Sequence, residues 1–244
     1  YNENIQINNI DAFIKGGYSS CSAANNGNQD SLPTATIISG SNLDSVIRIF
    51  GSLERNTVIL SHLRLTNGRN SDVNPGGGIS AINADVDLRL NDIFINDNYG
   101  SQGGGIAILT GKTNITAHNI MIRDNFASSG GGIFCDGSGL ATIIIDGDEA
   151  STYGITQNIA NNGNGGGVYL SNGCQFTSYV GTDSNTSEDR RGIYLNLATG
   201  NGGGLYLASE SKAEIIGSQK CFQENSGQIC RGYNSEPVNI SYNV

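Results

Sequence analysis

Gly103-Gly104-Gly105-Ile106-Ala107-Ile108 is one of five stretches in which three glycines precede an aliphatic residue; the others start at Gly76, Gly130, Gly165 and Gly202. The first three copies are 27 residues apart, and the next two intervals are 35 and 37. A fixed period of this size predicts a solenoid, in which each repeat is too small to bury its own apolar face and neighbours stack to share a core.

Placing the copies under one another shows what each repeat holds. Three residues after the first glycine stand Ile79, Ile106, Ile133, Val168 and Leu205; five after it stand Ala81, Ile108, Cys135, Leu170 and Leu207. Apolar positions two apart describe a strand with one buried face, so Cys135 reads as a core residue. The first repeats align without gaps: Leu88 falls over Ile115, Leu90 over Ala117, Ile93 over Ile120 and Ile95 over Ile122. Each repeat therefore holds several short strands joined by turns. That predicts an all-β, single-domain parallel β-helix of about seven coils. A leucine-rich horseshoe is the structural rival, but no helix-period segment and no L-x-x-L-x-L pattern supports it.

Asn98 and Asn125 each lie five residues ahead of a triplet, and Asn158, Asn196 and Asn225 open similar segments. Stacked asparagines can hydrogen-bond along the axis and tolerate the left-handed backbone of a corner. Residues 36–40, 46–50, 58–60 and 63–65 read as earlier strands, residues 1–35 as an N-terminal cap with an exposed loop, 36–230 as coils and 231–244 as a C-terminal strand and cap. The two long repeats carry their extra residues around 146–157 and 183–191, as loops on a corner.

Glycine makes up 35 of 244 residues and proline 3, so the glycines serve turn chemistry. A net charge of −9 argues against nucleic acid and anionic membranes as partners, since phosphates require Lys and Arg. No apolar run is long enough for a spanning helix. The sequence starts at Tyr1 with no signal-like segment, as a processed or trimmed product would. Among five cysteines, Cys221 and Cys230 enclose a short loop and are expected to form a disulfide in an oxidising compartment. Cys21, Cys135 and Cys174 have no metal-type spacing, and their pairing is open.

The Asn-x-Ala and Gly-Gly-Gly-Ile repeats, with Lys15-Gly16-Gly17-Tyr18 and Thr36-Ile37-Ile38-Ser39-Gly40 ahead of them, resemble those of secreted bacterial right-handed parallel β-helix proteins. These include the chlamydial polymorphic outer-membrane proteins and autotransporter-like passengers. The resemblance spans roughly residues 14–230. It implies a right-handed, pectin-lyase-like fold, secretion or surface display, and adhesion more often than a defined reaction. It departs in the membrane-barrel domain, which the 244 residues do not include.

Two function classes remain. The first is a non-enzymatic extracellular protein. One position beyond each inward residue the column reads Ser80, Ala107, Phe134, Tyr169, Tyr206. Pointing outward, Phe134, Tyr169 and Tyr206 would form an exposed aromatic ladder for sugar rings or a partner. Coils with complementary ends would also self-associate head to tail into a filament. The second class is a lyase or hydrolase of acidic polysaccharide. Asp97 and Asp124, 27 residues apart, should stack, with Arg123 beside them; this trio is the candidate for acid–base work, with calcium as the cofactor it would take. A solvated, repeating corner explains the same spacing without chemistry. His62 and His118 share no column, no Ser/His/Asp set follows from the spacing, and the glycines open no helix as a phosphate loop would. Asn-x-Ser/Thr sites stand at Asn114, Asn185 and Asn239.

Overall fold

A computed structural model of the chain describes residues 1–29, 36–51, 55–70, 75–137, 141–148, 153–179 and 192–216, with the backbone of 230–231 and 239–241. Among these residues the chain visits three parallel sheets in turn. The first sheet stacks Ile5–Asn8, Ile47–Phe50, Ile79–Ala84, Ile106–Gly111, Ile133–Asp136, Val168–Ser171, Leu205–Leu207 and Cys230–Arg231, in that order. The second stacks Ala12–Lys15, Asn56–Thr66, Val86–Asn96, Asn114–Arg123, Thr142–Asp146, Gln175–Tyr179, Lys212–Ile216 and Asn239–Ser241. The third is narrow and runs from Arg69–Asn70 through Tyr99–Gln102, Phe126–Ser129 and Ile159–Ala160 to Leu197–Ala198. The protein is all-β, and its sheets are compatible with a parallel β solenoid.

The registers are those of the repeat alignment. Ile79 pairs with Ile106, Ile106 with Ile133, Ile133 with Val168 and Val168 with Leu205. On the second sheet Leu88, Leu90, Ile93 and Ile95 pair with Ile115, Ala117, Ile120 and Ile122. All of these are buried in one continuous apolar core. Register is set this firmly because a slip of one residue would turn every such column out to water.

The glycine triplets form the corner between the third and first sheets. The first glycine of each has positive φ, +65° at Gly103, a conformation that costs an L-residue strain. The second faces a different constraint. A methyl group on Gly104 would lie 2.6 Å from the Gly131 carbonyl oxygen and 2.6 Å from the backbone nitrogen and oxygen of Phe126. Backbone packs on backbone here. The inward column of the third sheet starts at Asn70 and is correspondingly small from there on: Gly100, Ala127, Ala160 and Ala198.

Asn98, Asn125, Asn158 and Asn196 are buried behind this corner and form the expected ladder. The Asn125 side-chain oxygen accepts from the backbone N–H of Asn98 at 3.1 Å and its amide at 3.0 Å; the Asn125 amide donates to the Ile95 carbonyl and to the Asn158 side-chain oxygen, both at 3.0 Å. The left-handed backbone, however, belongs to the residue before each asparagine: Asp97, Asp124, Gln157 and Leu195, with φ of 54–55°. The asparagines bury their amides, and their neighbours make the turn. Asn225 lies outside the described residues.

The N-terminal segment, read as a cap with an exposed loop, stacks on the coils: Ile5–Asn8 and Ala12–Lys15 pair in register with Ile47–Phe50 and with Val58–Ser61. The loop after them holds a short exposed helix, Cys21–Asn25, capped by the Ser20 hydroxyl. The insertion assigned to 146–157 is narrower, because Gly154–Thr156 rejoins the second sheet. The 183–191 loop lies outside the described residues.

Cys135 lies in the core as read, and it is bonded there to Cys174. Cys135 pairs across the first sheet with Leu170, so Cys174 comes four residues further along the next coil, round the corner toward the second sheet. The bond therefore staples two coils. Alignment on strands alone hid it, because Cys174 stands in a turn. Cys21 is free and exposed, while Cys221 and the side chain of Cys230 lie outside the described residues. Closing a loop with a sequence separation of 39 restricts the unfolded chain by up to about 4 kcal/mol. The double variant Cys135→Ser/Cys174→Ser should thus unfold at lower denaturant, by about 3–4 kcal/mol. An unchanged midpoint under oxidising conditions would refute the staple.

Candidate functional site

Outward columns of the sheets carry the groups able to meet a partner. On the first sheet Phe134, Tyr169 and Tyr206 do stack, with ring centroids 4.8 Å and 5.2 Å apart. Tyr169 and Tyr206 are half-buried, and burial pushes the Tyr169 phenol above its ordinary pKa, with Tyr206 and Asp136 adding to the effect. Phe134 is not exposed as expected: only 4 % of its surface is open. One face of its ring lies against Tyr169, and the neighbouring positions of the column, Ser80 and Ala107, are buried as well.

A second ladder was not read from the sequence. On the third sheet Arg69, Tyr99, Phe126, Ile159 and Leu197 fall in one register column. The Arg69 guanidinium lies 5.3 Å over the Tyr99 ring, and Tyr99 stacks on Phe126 at 5.2 Å. The column stays open to solvent to its end, where Leu197 is 45 % exposed and neighbouring Leu195 39 %. A signal was available: in every case the residue directly after the ladder asparagine is Tyr99, Phe126, Ile159 or Leu197.

The acidic trio lies on the corner beside this ladder. Asp97, Arg123 and Asp124 are all exposed. Asp97 faces Arg64 at 3.6 Å, Arg64 in turn lying over Phe94, while Asp124 pairs with Arg123 at 2.8 Å. Each carboxylate thus has its own cation, and both stand at left-handed corner positions that Asp tolerates. Among the described residues no three His, Cys, Asp or Glu side chains converge to hold a metal ion.

The histidines occupy adjacent columns, which the fold joins where the second sheet bends. The Ser61 hydroxyl is 2.7 Å from His62 Nδ1, and His62 Nε2 is 3.4 Å from Asp92. Asn119 donates to Asp92 and Asp148 at 3.2 and 3.1 Å, while His118 meets Asp146 at 2.8 Å and Asp148 at 3.4 Å. Spacing alone assembled no Ser/His/Asp set, because these partners sit on successive coils. Ser61 is 7 % exposed and its hydroxyl is engaged by His62. The string acts as a latch holding the 146–148 segment to the coil before it.

Burial disfavours the His118 imidazolium, but the hydrogen bond and charge of Asp146 and the charge of Asp148 outweigh it and raise its pKa. A raised folded pKa stabilises the fold fully below the unfolded value near 6.5, and that contribution is lost as pH rises through the folded value. Solvent screens this exposed site. The native chain should therefore lose about 1–3 °C of Tm across the neutral range relative to His118→Gln; a His118 NMR titration midpoint below 6.5 would contradict the latch.

Two hollows accompany these groups. One of about 280 Å³ on the second sheet is lined by Asp87, Arg89, Asn114 and Thr116. A hydrogen bond from Arg55 holds the Asp87 pKa low, so Asp87 is a poor general acid, and Asn114 leans its amide on Asp87 at 3.4 Å. The other, about 460 Å³, opens at the N-terminal end among Ile5, Ile14, Ile38, Leu63, Lys15 and Tyr18. Among the described residues no helix is long and apolar enough to cross a membrane. No protein-family model, curated protein or solved structure matches the chain.

Proposed function

We propose that the chain is a non-enzymatic, extracellular or cell-surface structural and adhesive protein, built as a right-handed, pectin-lyase-like β-helix of about seven coils. The hand follows the strong preference of parallel crossover connections, and the resemblance to secreted β-helix passengers agrees with it. The observation that carries the functional reading is the pair of outward side-chain ladders, on the first and third sheets, each repeated coil by coil. Contiguous outward aromatics mark contact surfaces. The core disulfide fits an oxidising compartment.

The lyase or hydrolase reading has less support, since Asp97 and Asp124 lie exposed and separately paired. A paired assay tests the choice. The purified chain should be retained on immobilised glycans or cell surfaces and produce no new unsaturated or reducing ends from polygalacturonate. Turnover of that polymer would reverse the assignment.

End-to-end association is a second reading with its own observation. Ile5–Asn8 and Ala12–Lys15 are the outermost strands of their sheets among the described residues, and the apolar hollow opens beside them. Unpaired edges of this kind template further strands. Light scattering should report a mass that grows with concentration; a constant monomer mass would remove this reading.

A further inference from the structure

We infer that the third-sheet face, rather than the first-sheet tyrosines, is the glycan-binding surface, and that its ligand is a neutral linear polysaccharide lying along the coil axis. This rests on the adhesive reading and names its face and ligand class.

The face consists of three outward columns. The middle one is the apolar rail from Arg69 to Leu197. Two residues before it runs the corner column with Asp97, Asp124 and Gln157, all exposed. Two residues after it stand Ser101, Ser128, Asn161 and Thr199, of which the last three are exposed. Apolar contact is thus one residue wide with hydrogen-bonding groups on both flanks, except at the Leu197 end, where exposed Leu195 in the corner column broadens it. The pattern repeats at the coil spacing of about 4.8 Å over about 20 Å.

A protein partner would want a broad, fully buried apolar centre, which a single column does not offer. A sugar chain has the matching mixture, with apolar C–H surface on its rings and hydroxyls at their edges. Small contacts repeated along a polymer add through effective concentration. Charge then selects among glycans. On the face itself Asp97 and Asp124 are each paired with an arginine, so discrimination comes from the whole chain, whose net charge of −9 repels polyanions such as polyuronates and leaves neutral polymers unaffected.

The first-sheet ladder is less suited. Phe134 is buried, which leaves only Tyr169 and Tyr206 of that ladder open, against a third-sheet column that reaches solvent from Arg69 to Leu197.

Native affinity electrophoresis of the intact chain tests this, using hydroxyethylcellulose and glucomannan as neutral probes and polygalacturonate as the acidic one. Both neutral polymers should retard the chain and polygalacturonate should not. Leu195→Ser/Leu197→Ser, which alters exposed side chains and spares the core, should weaken retardation at least ~10-fold. Tyr169→Ser/Tyr206→Ser should leave it within ~2-fold. Retardation that survives the leucine changes, or that is stronger with polygalacturonate, overturns the inference. If only the tyrosine variant loses retardation, the adhesive reading stands and this face is wrong. If neither neutral polymer retards the native chain, the inference fails, while retention on cell surfaces still decides the adhesive reading separately.

Discussion

Gly104→Ala is expected to leave almost no folded protein. The added methyl group would meet three backbone atoms at 2.6 Å: the Gly131 carbonyl oxygen in the next coil, and the nitrogen and oxygen of Phe126. None of these is a flexible side-chain end that can swing aside. The Gly104 amide also bonds the Gly130 carbonyl at 3.2 Å, so the corner cannot retreat without breaking the rung below. Overpacking that side chains absorb costs about 1–3 kcal/mol, and a clash with fixed backbone exceeds this range; we expect at least ~4 kcal/mol. Gly27→Ala is the control. Its φ is also positive, +70°, but nothing lies within 4 Å of the added methyl, so only conformational strain of about 1 kcal/mol remains. Circular dichroism and solubility of the two variants measure the difference. Equal stability would mean that the triplets do not pack coil on coil.

Asn125→Ala should be nearly as severe, though no atom is forced into another. The substitution removes an acceptor used by the N–H and the amide of Asn98, and a donor used by the Ile95 carbonyl and the Asn158 oxygen. All four groups are buried and would lose a partner, although the Asn98 amide keeps the Leu65 carbonyl and the Asn158 oxygen keeps the backbone N–H of residue 125. Each buried polar group left unpaired costs about 1–3 kcal/mol. With partial relaxation the sum is on the order of 5 kcal/mol, or about 10–20 °C in Tm for a chain of this size. Ser128→Ala, on the exposed side of the same sheet, should change stability by less than about 0.5 kcal/mol. A Tm for Asn125→Ala within a few degrees of the native chain would show that water replaces the ladder, contrary to its burial.

The inward columns were legible because burial leaves a period-two trace, and Ile79, Ile106 and Ile133 fall where the alignment put them. The asparagine ladder was legible for the same reason, since a repeated polar residue inside a repeat must satisfy itself. What the sequence concealed lies in the corners. Cys174 meets Cys135 only because a turn returns the chain to the core. His62, Asp92, Asn119 and His118 meet because unequal columns touch where the second sheet bends. The Phe126 ladder was passed over because it alternates with the more conspicuous asparagines. Outward exposure was the least legible property: alternation gave the side on which Phe134 lies, but not that it is buried there.

The Cys135–Cys174 bond has a mechanical consequence. Parallel strands stacked along one axis peel one rung at a time when pulled from an end, since each rung carries the load alone. A tug on the C-terminal side would shed coils in succession until it reached the coil that holds Cys174. There the covalent link would take the tension, and the segment between the two sulfurs could not be drawn out. Pulled further, the load would cross the bond to Cys135 and pass to the strands before it, while the segment between the two sulfurs stays out of its path.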